Sequence, residues 1–282
     1  MNSSITKKYE LTDETVTTGN GRTLHRIRAL IAMPAIGVSV GDLGGFVQHE
    51  KNLSHARSAW VFDDAQVFDN ARVSGNAQIL GHAKIWGDAQ VYQGAHIWEQ
   101  ARIFGNAHVF GKARISGWAE VFGHAQIYEN AWLYGHAQVF GKALVLGFAN
   151  VVDDARVFGH ACVSDYAKVS GRAVTSGYSR LIGHTHITDN ARAFSATHTG
   201  CISELRPDIG PLSYSRQENG RASVHTYLFS GDLDSFETEV KRLYQDNQTG
   251  KEFSALIHFI RLRAAGWDAD LVRQNEAWAG HV

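Results

Sequence analysis

Val61-Phe62-Asp63-Asp64-Ala65-Gln66 is followed without a gap by Val67-Phe68-Asp69-Asn70-Ala71-Arg72, and then by Val73-Ser74-Gly75-Asn76-Ala77-Gln78. The six-residue phrase runs on to residue 198, 23 copies in all. Its first slot is Val, Ile or Leu in 21 copies, with Thr175 and Ala193 as exceptions. Its fifth slot is Ala in 20, replaced by Ser179, Thr185 and Thr197. A fixed short period marks a solenoid, in which each unit buries its apolar side only against its neighbours.

Alternate side chains of an extended strand point to opposite faces. Slots 1 and 5 therefore face inward, and slots 2 and 6 outward. Slots 3 and 4 carry Gly-Asn, Gly-His, Asp-Asp or Gly-Lys, residue types that accept sharp turns and positive φ. Three such units close an 18-residue triangular coil, and stacked coils become three parallel sheets at about 4.8 Å per coil. A period of six excludes a pentapeptide solenoid.

The period stops on both sides, dividing the chain into residues 1–54, 55–198 and 199–282. In the first part, Lys8–Thr12 and Thr23–Ile31 alternate as strands, with a hairpin signal at Asn20-Gly21. They are expected to cap the open end of the prism, and Val38–Val47 to form an irregular first coil. In the last part, Cys201–Leu205, Leu212–Arg216 and Ser223–Phe229 read as strands. Two helices follow, with capping boxes expected at Asp234/Glu237 and Thr249/Glu252. Phe236, Val240, Leu243 and Tyr244 line one, and Phe253, Leu256, Ile257 and Ile260 the other.

The flanks carry a resemblance. Gly41-Asp42-Leu43-Gly44-Gly45-Phe46-Val47, then Asn52-Leu53-Ser54 and hexapeptides, resembles the hexapeptide-repeat β-helix proteins of phages and prophages. Their terminal module is matched by Ile209-Gly210-Pro211 and Phe229-Ser230-Gly231-Asp232-Leu233-Asp234-Ser235-Phe236. The resemblance implies a left-handed parallel β-helix, with an N-terminal β cap and a small C-terminal α+β module. Such proteins are often labelled acyltransferases or polymer-forming proteins on the repeat alone.

Net charge is −1, and acidic and basic residues balance within the repeat. That leaves no electrostatic footprint for a nucleic-acid backbone or an anionic membrane. The first residues lack a signal-peptide apolar core, no long apolar run follows, and Cys162 and Cys201 form no disulfide framework. A cytoplasmic protein is expected.

Every third hexapeptide falls on the same face. Slot 2 of one face reads Phe68, Trp86, Phe104, Phe122, Phe140, Phe158, Ser176 and Phe194. A second reads Phe62, Leu80, Trp98, Ser116, Tyr134, Val152, and the third Ser74, Tyr92, Phe110, Tyr128, Leu146. Rings of about 150–250 Å² each make the first face an apolar patch that something should cover. A homo-oligomer contact, dimer or trimer, is the first expectation, with cover by the C-terminal module or a foreign protein as alternatives. Arg102 and Arg156 stand beside the rings and suit an interface rim or an anion clamp.

Fifteen histidines suggest metal or acid–base chemistry. Ligands on a prism must come from positions 18 apart or from one corner, and the histidines do not converge, so no metal is expected. His136 beside Asp154 is the best base-and-orienter pair. No loop interrupts the repeat to build a pocket. The sequence therefore favours a non-enzymatic oligomeric binding scaffold without cofactor, with a host protein as a further expected partner. An acetyl-CoA-dependent acyltransferase with a site between subunits is the alternative, and a small-molecule or nucleotide sponge the third reading.

Overall fold

A computed structural model describes residues 7–203 and 209–267 and divides into two compact units, Met1–Phe148 and Ala149–Val282. The chain is mostly β: a parallel β-solenoid, a small antiparallel sheet and two helices near the C-terminus. In each hexapeptide only slots 6 and 1 are strand, as at Gln66–Val67 and Lys84–Ile85. Equivalent slots pair 18 residues apart, as in Gln66↔Lys84, Lys84↔Arg102 and Arg102↔Glu120. In the second unit Arg156↔Val174 and Val174↔Arg192 keep the same register.

The slot-1 aliphatics from Val61 to Val169 and the slot-5 alanines from Ala65 to Ala173 are buried. Where a hydroxyl replaces slot-5 Ala, the corner itself satisfies it. Ser179 Oγ donates to the Ser176 carbonyl (2.8 Å), and Thr185 Oγ1 to that of Ile182 (2.7 Å). Thr175, inward at slot 1, is fully buried and its Oγ1 has no partner among the described residues.

Slot 3 turns each corner with positive φ, and the sequence supplies either Gly or a residue with a side-chain acceptor. Asp63, Asp69, Gln93, Glu99, Glu129, Asp153 and Asp165 hold φ between 51 and 60°. Each accepts a hydrogen bond from the backbone N–H of a glycine one coil on: Asp63 from Gly81 (2.8 Å), Glu129 from Gly147 (2.8 Å), Asp153 from Gly171 (2.9 Å). Gln93 and Asp165 do the same for Gly111 and Gly183. The bond offsets the cost of left-handed backbone in a residue with a Cβ.

The first unit begins with a hairpin, Tyr9–Thr17 with Thr23–Ala29, turning at Gly21. Its second strand pairs antiparallel with Leu43–Val47, which pairs parallel with Gln66–Val67 and so starts the coil. Two buried side chains fasten the hairpin to the first coil. Lys8 Nζ donates to the Ala59 carbonyl (2.6 Å), and Tyr9 Oη to the Glu50 and Leu53 carbonyls (2.9 and 2.8 Å).

In the second unit, strands Thr199–Ile202, Leu212–Arg216, Ala222–His225 and Ser230–Asp232 form an antiparallel sheet covered by helices α1 (Leu233–Tyr244) and α2 (Gln248–Ala264). The third expected strand ends early, at His225, a fourth strand, Ser230–Asp232, was not expected, and Leu205 lies outside the described residues. The helix caps differ from those expected. Asp232 caps α1, accepting from the Asp234 and Ser235 N–H groups, and Asn247 caps α2, accepting from Gly250 N–H. Asp232 and Asn247 are the last extended residues, which is where a capping side chain can reach the free N–H groups. Phe236, Val240, Phe253, Ile257 and Ile260 are buried with Leu212 and Val224, and Tyr244 and Leu256 pack against them. Leu243 is 52 % exposed and faces away. Trp267, beyond the helical pattern, is buried, and its Nε1 donates to the Thr197 carbonyl (2.9 Å), tying the module to the last coil.

Two stability changes follow. Asp153→Ala keeps the left-handed corner and loses the acceptor, so it should cost about 1–2 kcal/mol, and Asp153→Gly less. Thr175→Val removes a buried, unanswered hydroxyl and should raise stability by about 1 kcal/mol. Urea unfolding of the three variants beside the parent protein checks both orders.

Candidate functional site

In the first unit the slot-2 aromatics of the first face stand in register. Phe68–Trp86, Trp86–Phe104, Phe104–Phe122 and Phe122–Phe140 have ring centroids 5.8, 4.5, 4.8 and 4.7 Å apart, with planes within 6°. Parallel strands in exact register force this arrangement, because like side chains leave like backbone positions at the strand spacing. The faces of the rings are covered by one another, and the ring edges form the surface stripe. Each stack contributes about 0.5–1.5 kcal/mol beyond burial. Much of the aromatic area counted from sequence is therefore consumed within the ladder.

The chain covers the start of this ladder with its own hairpin. Leu24, Phe46 and Phe68 form one buried cluster, with Val16 and Trp86 packed against it, and Phe68 is 7 % exposed. Arg22 pairs with Asp69 beside it. Phe104, Phe122 and Phe140 are partly open. Their rim is a polar zipper in which Glu120 accepts from Arg102 (3.3 Å) and from Gln138 (3.1 Å). In the second unit Phe158 lies under the Arg156 guanidinium (5.7 Å), Ser176 is buried, and Phe194 packs edge-on near His198. The third face also stacks: Tyr92–Phe110 and Phe110–Tyr128 are each 4.9 Å apart.

The histidines sit mostly on corners. His136 is exposed and stacks on Trp118 (6.3 Å), and His160 stacks on Tyr178 (5.0 Å). Asp154 belongs to the second unit, where its N–H donates to the Gly171 carbonyl. Among the described residues no three His, Cys, Asp or Glu side chains converge on a metal position, and no described helix is long and apolar enough to cross a membrane.

One cluster escaped sequence reasoning. His186, on the last coil of the second face, meets His225 of the antiparallel sheet edge-on at 4.1 Å, and its Nε2 lies 3.0 Å from Ser170 Oγ. Burial, then His225 and Lys168, lowers the His186 pKa to about 4. Burial likewise lowers that of His225, against the opposing pull of Asp189. Both rings are neutral at pH 7. The seam is held by the His186 N–H donating to Ser213 Oγ (2.9 Å) and the Arg216 N–H to the His198 carbonyl (2.8 Å). Only the strand order of the terminal sheet, invisible in the repeat, brings the two rings together.

Residues 65–81 match a family model described as the YdcK beta solenoid repeat. The matched stretch is just short of one coil, so it speaks for the repeat. No curated protein matched the chain.

The seam sets a pH dependence. His186 is protonated in the unfolded chain below about pH 6.5 but in the folded protein only below about pH 4. Its contribution is therefore present above pH 6.5 and is lost as pH falls through that window. The parent protein should lose more stability between pH 7 and pH 5 than His186→Gln does, measured by thermal unfolding at both pH values.

Proposed function

We propose that the protein is a non-enzymatic binding scaffold that associates with further copies of itself through the aromatic edge stripe of its first face. The observation that carries this reading is the contrast along one ladder. The chain buries Phe68 under its own hairpin but leaves the edges of Phe104, Phe122 and Phe140 partly open in one straight row. Ring edges in a row are an apolar strip, and the matching strip of a second copy can cover it. A row repeated at the strand spacing also suits a symmetric contact in which the same stripe of two or three copies meets about one axis. The resemblance of the flanks to phage β-helix proteins supports a host protein as a further partner of the same stripe. An acyltransferase reading gains no support from His136, an exposed ring stacked on Trp118.

Native mass spectrometry with light scattering tests the proposal. The parent protein should be a dimer or trimer, and Phe104→Asp or Phe122→Asp should shift it to monomer. Phe110→Asp, which breaks an equal stack on the third face, is the control and should leave the oligomer intact. A monomeric parent protein, or equal dissociation by Phe110→Asp, would overturn the reading.

A further inference from the structure

The third-face ladder stops short. Ser54, Ser74, Tyr92, Phe110 and Tyr128 occupy successive coils, since Ser54 N–H donates to the Val73 carbonyl, Ser74 N–H to that of Val91, and Tyr92 N–H to that of Val109. Tyr92, Phe110 and Tyr128 hold stacked rings. Above it, two serines leave a gap two coils tall, about 10 Å. One ring face of Tyr92 therefore has no aromatic neighbour, although Phe110 shows that this column accommodates stacking at 4.9 Å.

The gap is a cavity of about 590 Å³. Tyr92 forms one end, Lys51 and His55 the other, and Arg72 and Gln90 stand along the side. Arg72 makes no ion pair or side-chain hydrogen bond among the described residues, and Lys51 reaches only the Asn70 amide oxygen (3.1 Å). The one carboxylate at the site, Glu50, is bound to Lys7 (2.5 Å). His55 closes that end: its Nδ1 accepts from the Lys8 N–H (3.1 Å), its Nε2 is shut off from solvent, and stacking on Tyr9 at 4.4 Å holds the ring in place.

A flat platform and two uncompensated cations specify a planar aromatic ring that carries an anionic group. We infer that this cavity binds a mononucleotide, with its base stacked on Tyr92 over Ser74 and its phosphate held by Arg72 and Lys51. Stacking on an aromatic side chain tolerates any base, and a guanidinium pairs with a phosphate through two parallel hydrogen bonds. The site lies on a different face from the proposed self-association stripe and stands independently of it.

Isothermal titration of the full chain with AMP, adenosine and inorganic phosphate tests the inference. AMP should bind, adenosine about tenfold more weakly for loss of the charge-assisted bonds, and phosphate alone undetectably. Arg72→Gln, a surface change, should weaken AMP about tenfold while leaving adenosine unchanged. Ser74→Phe should extend the ladder into the gap, raise the melting temperature and remove both ligands. The inference fails if the parent protein does not bind AMP, or if Ser74→Phe binds it as well as the parent does. Tighter binding of a ten-residue oligothymidylate than of AMP would point to a nucleic-acid strand and overturn it as well.

Discussion

The structure depends on one constraint: a coil closes in 18 residues, so each residue lies over its own equivalent. Parallel pairing then repeats every choice at the strand spacing, favourable or not. An inward Val rests on an inward Val, and Ala fills slot 5 at most corners, where the backbone bends and leaves little room. The corner residue at slot 3 shows how strict this is. It must hold positive φ, and the chain meets that demand either with Gly or with an Asp, Glu or Gln that bonds to the glycine N–H one coil further. A side chain that reaches along the axis needs a partner without one, and no two non-glycine corners are stacked from residue 63 to 189.

The same register changes what an aromatic residue means. On an isolated strand an outward Phe offers a whole face to a partner. In a ladder it presents an edge, and its face contributes to the cohesion of the coils. Open ring faces then arise where the ladder is interrupted. Phe68 shows one outcome, since the hairpin lies over it; Tyr92 shows the other, where Ser74 and Ser54 leave the next rungs vacant. A regular solenoid thus makes its cavities by omitting side chains and not by inserting loops.

The period alone made the solenoid, the inward slots and the outward ladder legible, because one strong pattern fixed register, burial and direction together. Features that depend on contacts outside that pattern were not legible. Asp232 caps α1 in place of Asp234 because the last strand ends at Asp232 and the helix starts at once, at Leu233. Leu243 fits the helical spacing yet points away, since the terminal sheet covers only a narrow stripe of α1. His186 and His225 meet only through the antiparallel sheet. The gap above Tyr92 was visible as a serine heading the third column, and Arg72 as a slot-6 residue beside it, but Lys51 comes from the segment before the repeat.

The two closures of the solenoid solve the same problem with opposite chemistry. An open coil end exposes strand carbonyls and N–H groups that must be answered or hidden. At the start, Lys8 sends a buried ammonium onto the Ala59 carbonyl, and burial lowers its pKa to about 8, so it is still charged at pH 7. At the far end, neutral imidazoles and serine hydroxyls meet the last coil, and burial keeps His186 uncharged at the same pH. Both closures nevertheless hold an imidazole that burial keeps from protonating: His186 at the terminal module, and His55 at the hairpin, where its Nδ1 accepts from the Lys8 N–H. Acid that protonates these rings works against both closures, whereas the Lys8 ammonium is unaffected by it.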